Sequence, residues 1–313
     1  TSPQTSHLTS QLAATNMLTV ALSADVEGFD PAALTDGDSL LVTSQIYETL
    51  VNLEPGGSLP QPGLAESWTV SADGKTWTLN LRTGVTFHDG NVLDADAVVY
   101  NFERWWDPVH PFHQDNFEYF AGSFGGFKGD PNCVLTSVTA SGPLQVQLVF
   151  KQKYNLASVL NLSAFAIASP AAIQSGTLNT NPVGSGPYRF VQHTPGGQVR
   201  LEANPSYWGA QPHIPNLYFQ IIADNDERIA ALQNNTVQVA DMVSAQTVSS
   251  IHDPNLKVLW RPSMSIGYLG INRAHGPLDS LLVREAIAHA VNVQSLIDNY
   301  YPLGTQVAQQ FLP

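Results

Sequence analysis

Residues 73–90 read DGKTWTLNLRTGVTFHDG, and their spacing sets the terms for the rest of the chain. Trp77, Leu79 and Leu81 fall on every second position, with Thr76, Thr78, Asn80 and Arg82 between them. That is the period of a strand with one wet face. Asp73-Gly74 supplies a turn before the run, because glycine accepts positive φ without strain. Arg82-Thr83-Gly84 breaks the run, and Val85 and Phe87 resume it before His88-Asp89-Gly90. Alone, the stretch predicts a hairpin with Trp77, Leu79 and Leu81 facing inward.

Outward from it the pattern alternates between strand and helix. MLTVAL (17–22) reads as a strand that enters a punctuated, acidic loop, SADVEGFDPAALTDGD. SLLVTSQIYETLV (39–51) has helical spacing at Leu40, Ile46, Tyr47 and Leu50. DADAVVYNFERWW (94–106) predicts a helix capped by Asp94, with Val98, Phe102 and Trp105 on one stripe. VLTSVTA and LQVQLVF are strand-like, and Ser169-Pro170 opens a short helix ending before Gly176. YRFVQ, QVRLEAN, IPNLYFQII and TVQVADM read as strands, with a helix in DNDERIAALQNN. DSLLVREAIAHAVNVQSLIDNYY (279–301) reads as one helix capped by Asp279, its apolar face made by Leu282, Val283, Ala286, Ile287 and Ala290. Strands alternating with helices indicate an α/β architecture.

Composition narrows the function. The 313 residues allow two domains. Only 12% are charged, and 13 Lys+Arg stand against 26 Asp+Glu, a net charge of −13. A chain this acidic does not suit nucleic acid, whose binding rests on neutralised phosphates, nor an anionic membrane surface. The opening TSPQTSHLTSQLAATN reads as a polar leader, either left after removal of a signal or lipid-anchor segment or simply a frayed end. Cys133 is the single cysteine and cannot form an internal disulfide. There is no G-x-S-x-G elbow, S-x-x-K, H-E-x-x-H or P-loop, so no catalytic residue is assigned and the chain is read as a non-enzyme.

Taken together, several stretches resemble one family, the solute-binding proteins (family 5) of peptide and nickel ABC importers. The hallmark run stands here as Leu64-Ala65-Glu66-Ser67-Trp68, Asp73-Gly74, Thr76-Trp77, Leu81-Arg82, Gly84-Val85 and Phe87-His88-Asp89-Gly90. IYETLV (46–51), VGSGPYRF (183–190), ANPSYWGAQPHIPNLYF (203–219) and LLVREAIAHAVN follow the family's order. The departures are Asn234-Asn235-Thr236 in place of a Gly-Glu pair, and Asn292 where Asp is usual.

The resemblance implies a two-lobed, periplasmic-binding-protein-like fold of type II with an inserted subdomain in the first lobe and the second lobe truncated. The implied divisions are a base lobe from 1–45 and 184–262, an insertion over 46–183, and the start of a second lobe at 263–313. It implies an extracytoplasmic protein that captures a short peptide or similar solute between lobes and hands it to an ABC permease, with no cofactor. A removed signal or lipid anchor would associate it with the membrane. The alternatives are a nickel-chelate or haem carrier on the same scaffold, or a periplasmic chaperone or enzyme.

For the ligand site the resemblance points to Asp25, Val26, Glu27, Gly28 and Phe29 after the first strand. A carboxylate there could pair with an ammonium group, although the same residues could simply build a turn. Trp106 and His113 are candidates from the aromatic segment 104–127, most of which reads as core. Met264 and Tyr268 are candidates near the entry to the second lobe. His110-x-x-His113 is not assigned as a metal site, because Pro111 spoils helical spacing and no Cys or carboxylate set supports it.

Overall fold

The computed structural model describes residues 16–241, 243, 248, 251–259, 266–301 and 305–308. It divides into two compact units, Thr1–Asp241 and Met242–Pro313.

The first unit is built on two sheets. Strand β1 (Met17–Leu22) is an interior strand of a five-stranded sheet of order β11-β1-β10-β9-β8, with β8 (Tyr188–Thr194), β9 (Gln198–Ala203), β10 (Asn216–Ile221) and β11 (Val239–Ala240). β1 runs parallel to β10 and β11, whereas β10, β9 and β8 are antiparallel neighbours. The second sheet is antiparallel, of order β4-β5-β7-β6: β4 (Ala65–Val70), β5 (Thr76–Leu81), β6 (Leu135–Gly142) and β7 (Gln145–Phe150). Between β1 and β4 lie helix α1 (Gly37–Ile46) and a short pair, β2 (Val51–Leu53) with β3 (Pro60–Pro62).

β5 carries the alternation of residues 76–81 as expected. Trp77, Leu79 and Leu81 are buried, and the residues between them are half-buried. The turn into β5 is a tight one, with Gly74 at φ 73°. The second arm of the stretch is not a strand. β5 pairs with β4 and β7 instead, and residues 85–87 contribute one isolated bridge, Thr86 to Val92. Val85 and Phe87 are buried all the same, so the apolar period marked the core contact but not the pairing partner.

Helix α2 (Ala95–Trp106) begins where expected, with Asp94 Oδ1 accepting from the Ala97 N–H at 2.9 Å. Its stripe of Val98, Phe102 and Trp105 is buried against β6 and β7. Helix α3 (Glu118–Phe124) and helix α4 (Pro170–Gln174) complete this half, and helix α5 (Asn225–Gln233) precedes β11. Helix α1 is shorter than its sequence spacing suggested. Tyr47 is extended, and the Gly186 N–H donates to the Ile46 carbonyl at 2.9 Å. A Cβ on Gly184 would strike that same carbonyl oxygen, so glycine permits the close crossing.

In the second unit, residues 279–301 form two helices rather than one: α6 (Leu281–Ala290) and α7 (Val293–Tyr300). Asn292 causes the break. Its Oδ1 accepts from the Ser295 N–H at 2.9 Å and caps α7, while Val291 turns extended. The position before α6 is Ser280, not Asp279, and its side chain makes no capping bond. No residue of α6 or α7 is buried.

Candidate functional site

The loop from β1 to α1 has no ladder to satisfy its backbone, and buried N–H groups must find partners elsewhere. Side chains supply them. Asp38 Oδ2 accepts from the Ala24 N–H at 2.8 Å and from Ser23 Oγ at 2.7 Å. The Val26 N–H donates to Asp25 Oδ1 at 2.8 Å, and the Glu27 N–H donates to Ser39 Oγ at 2.8 Å. Asn179 Oδ1 accepts from both Phe29 N–H, at 3.0 Å, and Asp30 N–H, at 3.2 Å. Residues 23–30 of this connection therefore have a defined shape without belonging to a helix or strand, and a single 3-10 turn (Pro31–Ala33) follows them.

Its acidic residues divide sharply. Asp25 Oδ1 also accepts from His193 Nε2 at 2.9 Å, and Oδ2 from the Gly196 N–H at 2.7 Å. Desolvation would raise the Asp25 pKa, but the bonds from Gly196, His193 and Val26 outweigh it and hold the carboxyl below its usual value. Asp30 is buried against Arg104, with both side chains 2% exposed. Arg104 Nη1 donates to Asp30 Oδ1 at 3.2 Å, and Nη2 bonds Oδ2. Buried charges are tolerated only when paired in this way. Glu27 is different: it is exposed, and its carboxylate bonds to none of the described residues. Val26 and Phe29 are buried, Phe29 edge-on to Phe190 at 5.0 Å.

Arg104 also reaches the aromatic segment. Its Nε donates to the Phe112 carbonyl at 3.0 Å, and its guanidinium lies 4.8 Å from the Phe117 ring. The Arg104 carbonyl accepts from His113 Nδ1 at 2.9 Å. His113 thus joins the 25–30 loop through Arg104, its ring edge-on to Phe127 at 4.8 Å. His110 faces another partner, its Nδ1 accepting from the Phe112 N–H at 3.3 Å. Trp106 is 8% exposed, with Lys128 Nζ 5.1 Å over its ring. Tyr268 belongs to the second unit and is 70% exposed. Met264 lies outside the described residues.

Sequence reading missed Arg104, Asn179, His193 and Ser39 as supports of this loop. A lone arginine inside the stripe FERWW was a usable signal, since a cation on a buried face needs a counter-charge. Asn179 and His193 carried no local sign.

The family model of the bacterial extracellular solute-binding proteins, family 5 (middle region), matches residues 60–313. The dipeptide-binding protein of Escherichia coli (strain K12) is 33% identical over 307 residues, covering 92% of this chain and 56% of that protein. Heme-binding protein A of Haemophilus influenzae is 30% identical over 309 residues, 91% of this chain and 55% of that protein. Among solved structures, HbpA2 from Haemophilus parasuis superimposes with a TM-score of 0.82 at 28% identity, over 95% of this chain and 61% of that one. The periplasmic binding protein DppA from Helicobacter pylori, in complex with the peptide STSA, gives 0.77 at 27% identity, over 91% and 58%. The chain spans little more than half the length of these relatives. Motif order, the α/β sheets and these matches agree: the chain belongs to family 5 of the bacterial extracellular solute-binding proteins.

Proposed function

We propose that this chain is the part of an ABC-importer binding protein that captures a short peptide or similar small solute, with Glu27 taking the ligand's ammonium group. The observation that carries the reading is the division among the acids of the 25–30 loop. Asp25 and Asp30 are held by protein donors, which leaves the exposed Glu27 as the one carboxylate of that loop open to an external cation. Its N–H is fixed on buried Ser39, so the side chain projects from an ordered backbone. Relatives that carry peptide-binding names, in Escherichia coli and Pseudomonas aeruginosa, support a peptide as cargo.

In this reading Gly28 and Phe29 shape the site, His113 and Trp106 support it from the aromatic segment, and Met264 and Tyr268 belong to the side contributed by the second lobe. The base lobe comprises 1–45 and 184–262 around an insertion at 46–183, and the second lobe begins at 263. The whole protein works outside the cytoplasm, associated with the membrane through a removed signal or lipid-anchor segment, delivers its cargo to a permease and performs no catalysis.

Calorimetric titration with alanyl-phenylalanine and its N-acetyl derivative tests the reading. The free dipeptide is expected to bind better, and Glu27→Gln is expected to weaken it by about 10- to 100-fold, the size of a lost charge-assisted hydrogen bond. The acetylated peptide should be indifferent to that substitution. Equal effects on both peptides, or tighter binding of haemin or nickel-histidine than of either, would replace the peptide reading.

A further inference from the structure

We propose that the groove at the bulged end of the four-stranded sheet is a second binding site, built for a neutral saccharide. Trp77, Leu79 and Leu81 fill the core face of that sheet, and the groove lies on the other face. The proposal does not depend on how the 25–30 loop is read.

On this outer face the register carries one row of positions across all four strands. Ser67 on β4 faces Asn80 on β5, Asn80 faces Gln145 on β7, and Gln145 faces Gly142 on β6. The side chains are joined in a ladder. Asn80 Nδ2 donates to Ser67 Oγ at 3.0 Å, Gln145 Nε2 donates to Asn80 Oδ1 at 3.0 Å, and Ser141 Oγ donates to Gln145 Oε1 at 2.9 Å. Both edge strands break register at this row, β4 between Ala65 and Ser67 and β6 between Ala140 and Gly142. A bulge inserts one residue and re-aims its neighbours, which here adds Glu66 next to Ser67 and Ser141 next to Gly142.

A groove of about 460 Å³ follows the row, within the size range of small-molecule sites. Its walls are pinned by backbone bonds. The Leu81 N–H donates to the Leu144 carbonyl at 2.8 Å, the Arg82 N–H to the Leu64 carbonyl at 2.9 Å, and the Ala95 N–H to the Pro143 carbonyl at 3.0 Å. A site ordered beforehand does not have to be ordered by its ligand.

The unused valences define what fits. A side-chain amide has two donors and two acceptor lone pairs. The ladder takes one of each from Asn80 and one of each from Gln145, whichever way the amides are turned. Each amide therefore keeps one N–H and one lone pair, on adjacent strands. Glu66 and Thr83 are exposed, and their side chains bond to none of the described residues. Glu66 is the one charged residue among the described residues that line the groove. An anionic ligand meets no cation there, and a metal ion meets a single carboxylate. The hydroxyls of a sugar suit this set, because each accepts from an amide N–H and gives its own proton to an amide oxygen or to Glu66. Pro143, exposed, and Leu144, half-buried, offer apolar surface to the C–H face of the ring.

Amide NMR titration of the 313-residue chain tests the site. The probes are maltotriose, cellotriose and tri-N-acetylchitotriose, with the uncharged peptide N-acetyl-alanyl-alanine amide as comparison. At least one saccharide is expected to bind with a Kd of about 1 mM or tighter. It should move the signals of 66–67, 80–83 and 142–145, leave those of 23–30 in place, and bind equally well at high salt, because it carries no charge. Ser67→Ala and Thr83→Ala alter exposed positions and spare the core. Each should weaken the saccharide by about 3- to 10-fold, the scale of one neutral hydrogen bond, with the melting temperature held. Asn80→Ala should weaken it further. No binding by any of the three saccharides, signals that move elsewhere, affinities that all three variants leave unchanged, or tighter binding of the peptide at this groove would each overturn the proposal.

Discussion

Strand β5 and helix α6 are both amphipathic, yet the apolar face of one is sealed and that of the other is largely open. In β5 the apolar face, Trp77, Leu79 and Leu81, is buried between two flanking strands and the core that α2 helps to build. In α6 the apolar face is only partly covered: Val283 and Ile287 are half-buried, whereas Leu282 is 76% exposed. An apolar stripe states that a face tends to be covered; it does not say by what. For β5 the covering partners lie within the first unit, and among the described residues of the second unit none buries α6.

The largest effect that can test this contrast is Leu79→Ala. A leucine with no exposed surface, deleted from a packed sheet, should cost about 2–5 kcal/mol in denaturant unfolding of the first unit. A loss below about 1 kcal/mol would mean that the sheet collapses around the gap, and the two regions would then differ less than their burial implies.

A smaller effect comes from His88, which joins the hallmark stretch to the crossing at 184–186. Its N–H donates to the Gly184 carbonyl at 2.8 Å, and its Nε2 donates to the Gly186 carbonyl at 3.0 Å. Burial lowers its pKa, and the Gly186 bond and Asp89 only partly oppose this, so the folded value lies below 6.5. The unfolded chain then takes up a proton before the folded one. Stability is complete above pH 6.5 and falls as the pH drops from there through the folded pKa, by no more than about 1.4 kcal/mol per pH unit. His88→Gln should flatten this part of the unfolding profile of the first unit. A slope that survives the substitution would assign the proton to another group.

The smallest effect is expected at Leu282→Ala, within about 0.5 kcal/mol, as for surface positions generally. Hydrogen exchange of the 281–290 amides measures it without interference from the first unit. A loss as large as that of Leu79→Ala would show the α6 face covered in solution and erase the contrast.

Much of the fold was legible locally. The period of β5, the Asp94 cap of α2 and the Pro170 start of α4 each depend on residues within a few positions, and each stands in the structure. Helix ends were less legible. α1 stops at Ile46 because the crossing at Gly184 and Gly186 packs there, and the 279–301 pattern splits because Asn292 offers its own cap. That second cause was present in the sequence but was outweighed by the apolar period on either side of it.

The loop 25–29 could be located from sequence as a candidate site, and its glycine and acids were visible as such. Which acid is open could not be read there. Asp25 is occupied by a histidine 168 positions away, Asp30 by an arginine 74 positions away, and the Phe29 N–H by Asn179, 150 positions away. A carboxylate's neighbours along the chain determine its turn propensity, whereas its availability depends on which donors the closed tertiary structure brings within about 3 Å. Sequence alone determined that a polar, acidic loop follows the first strand. Only the packing of α1, α2, the five-stranded sheet and the 177–183 turn around that loop decided that Asp25 and Asp30 are held while the Glu27 carboxylate bonds to none of the described residues.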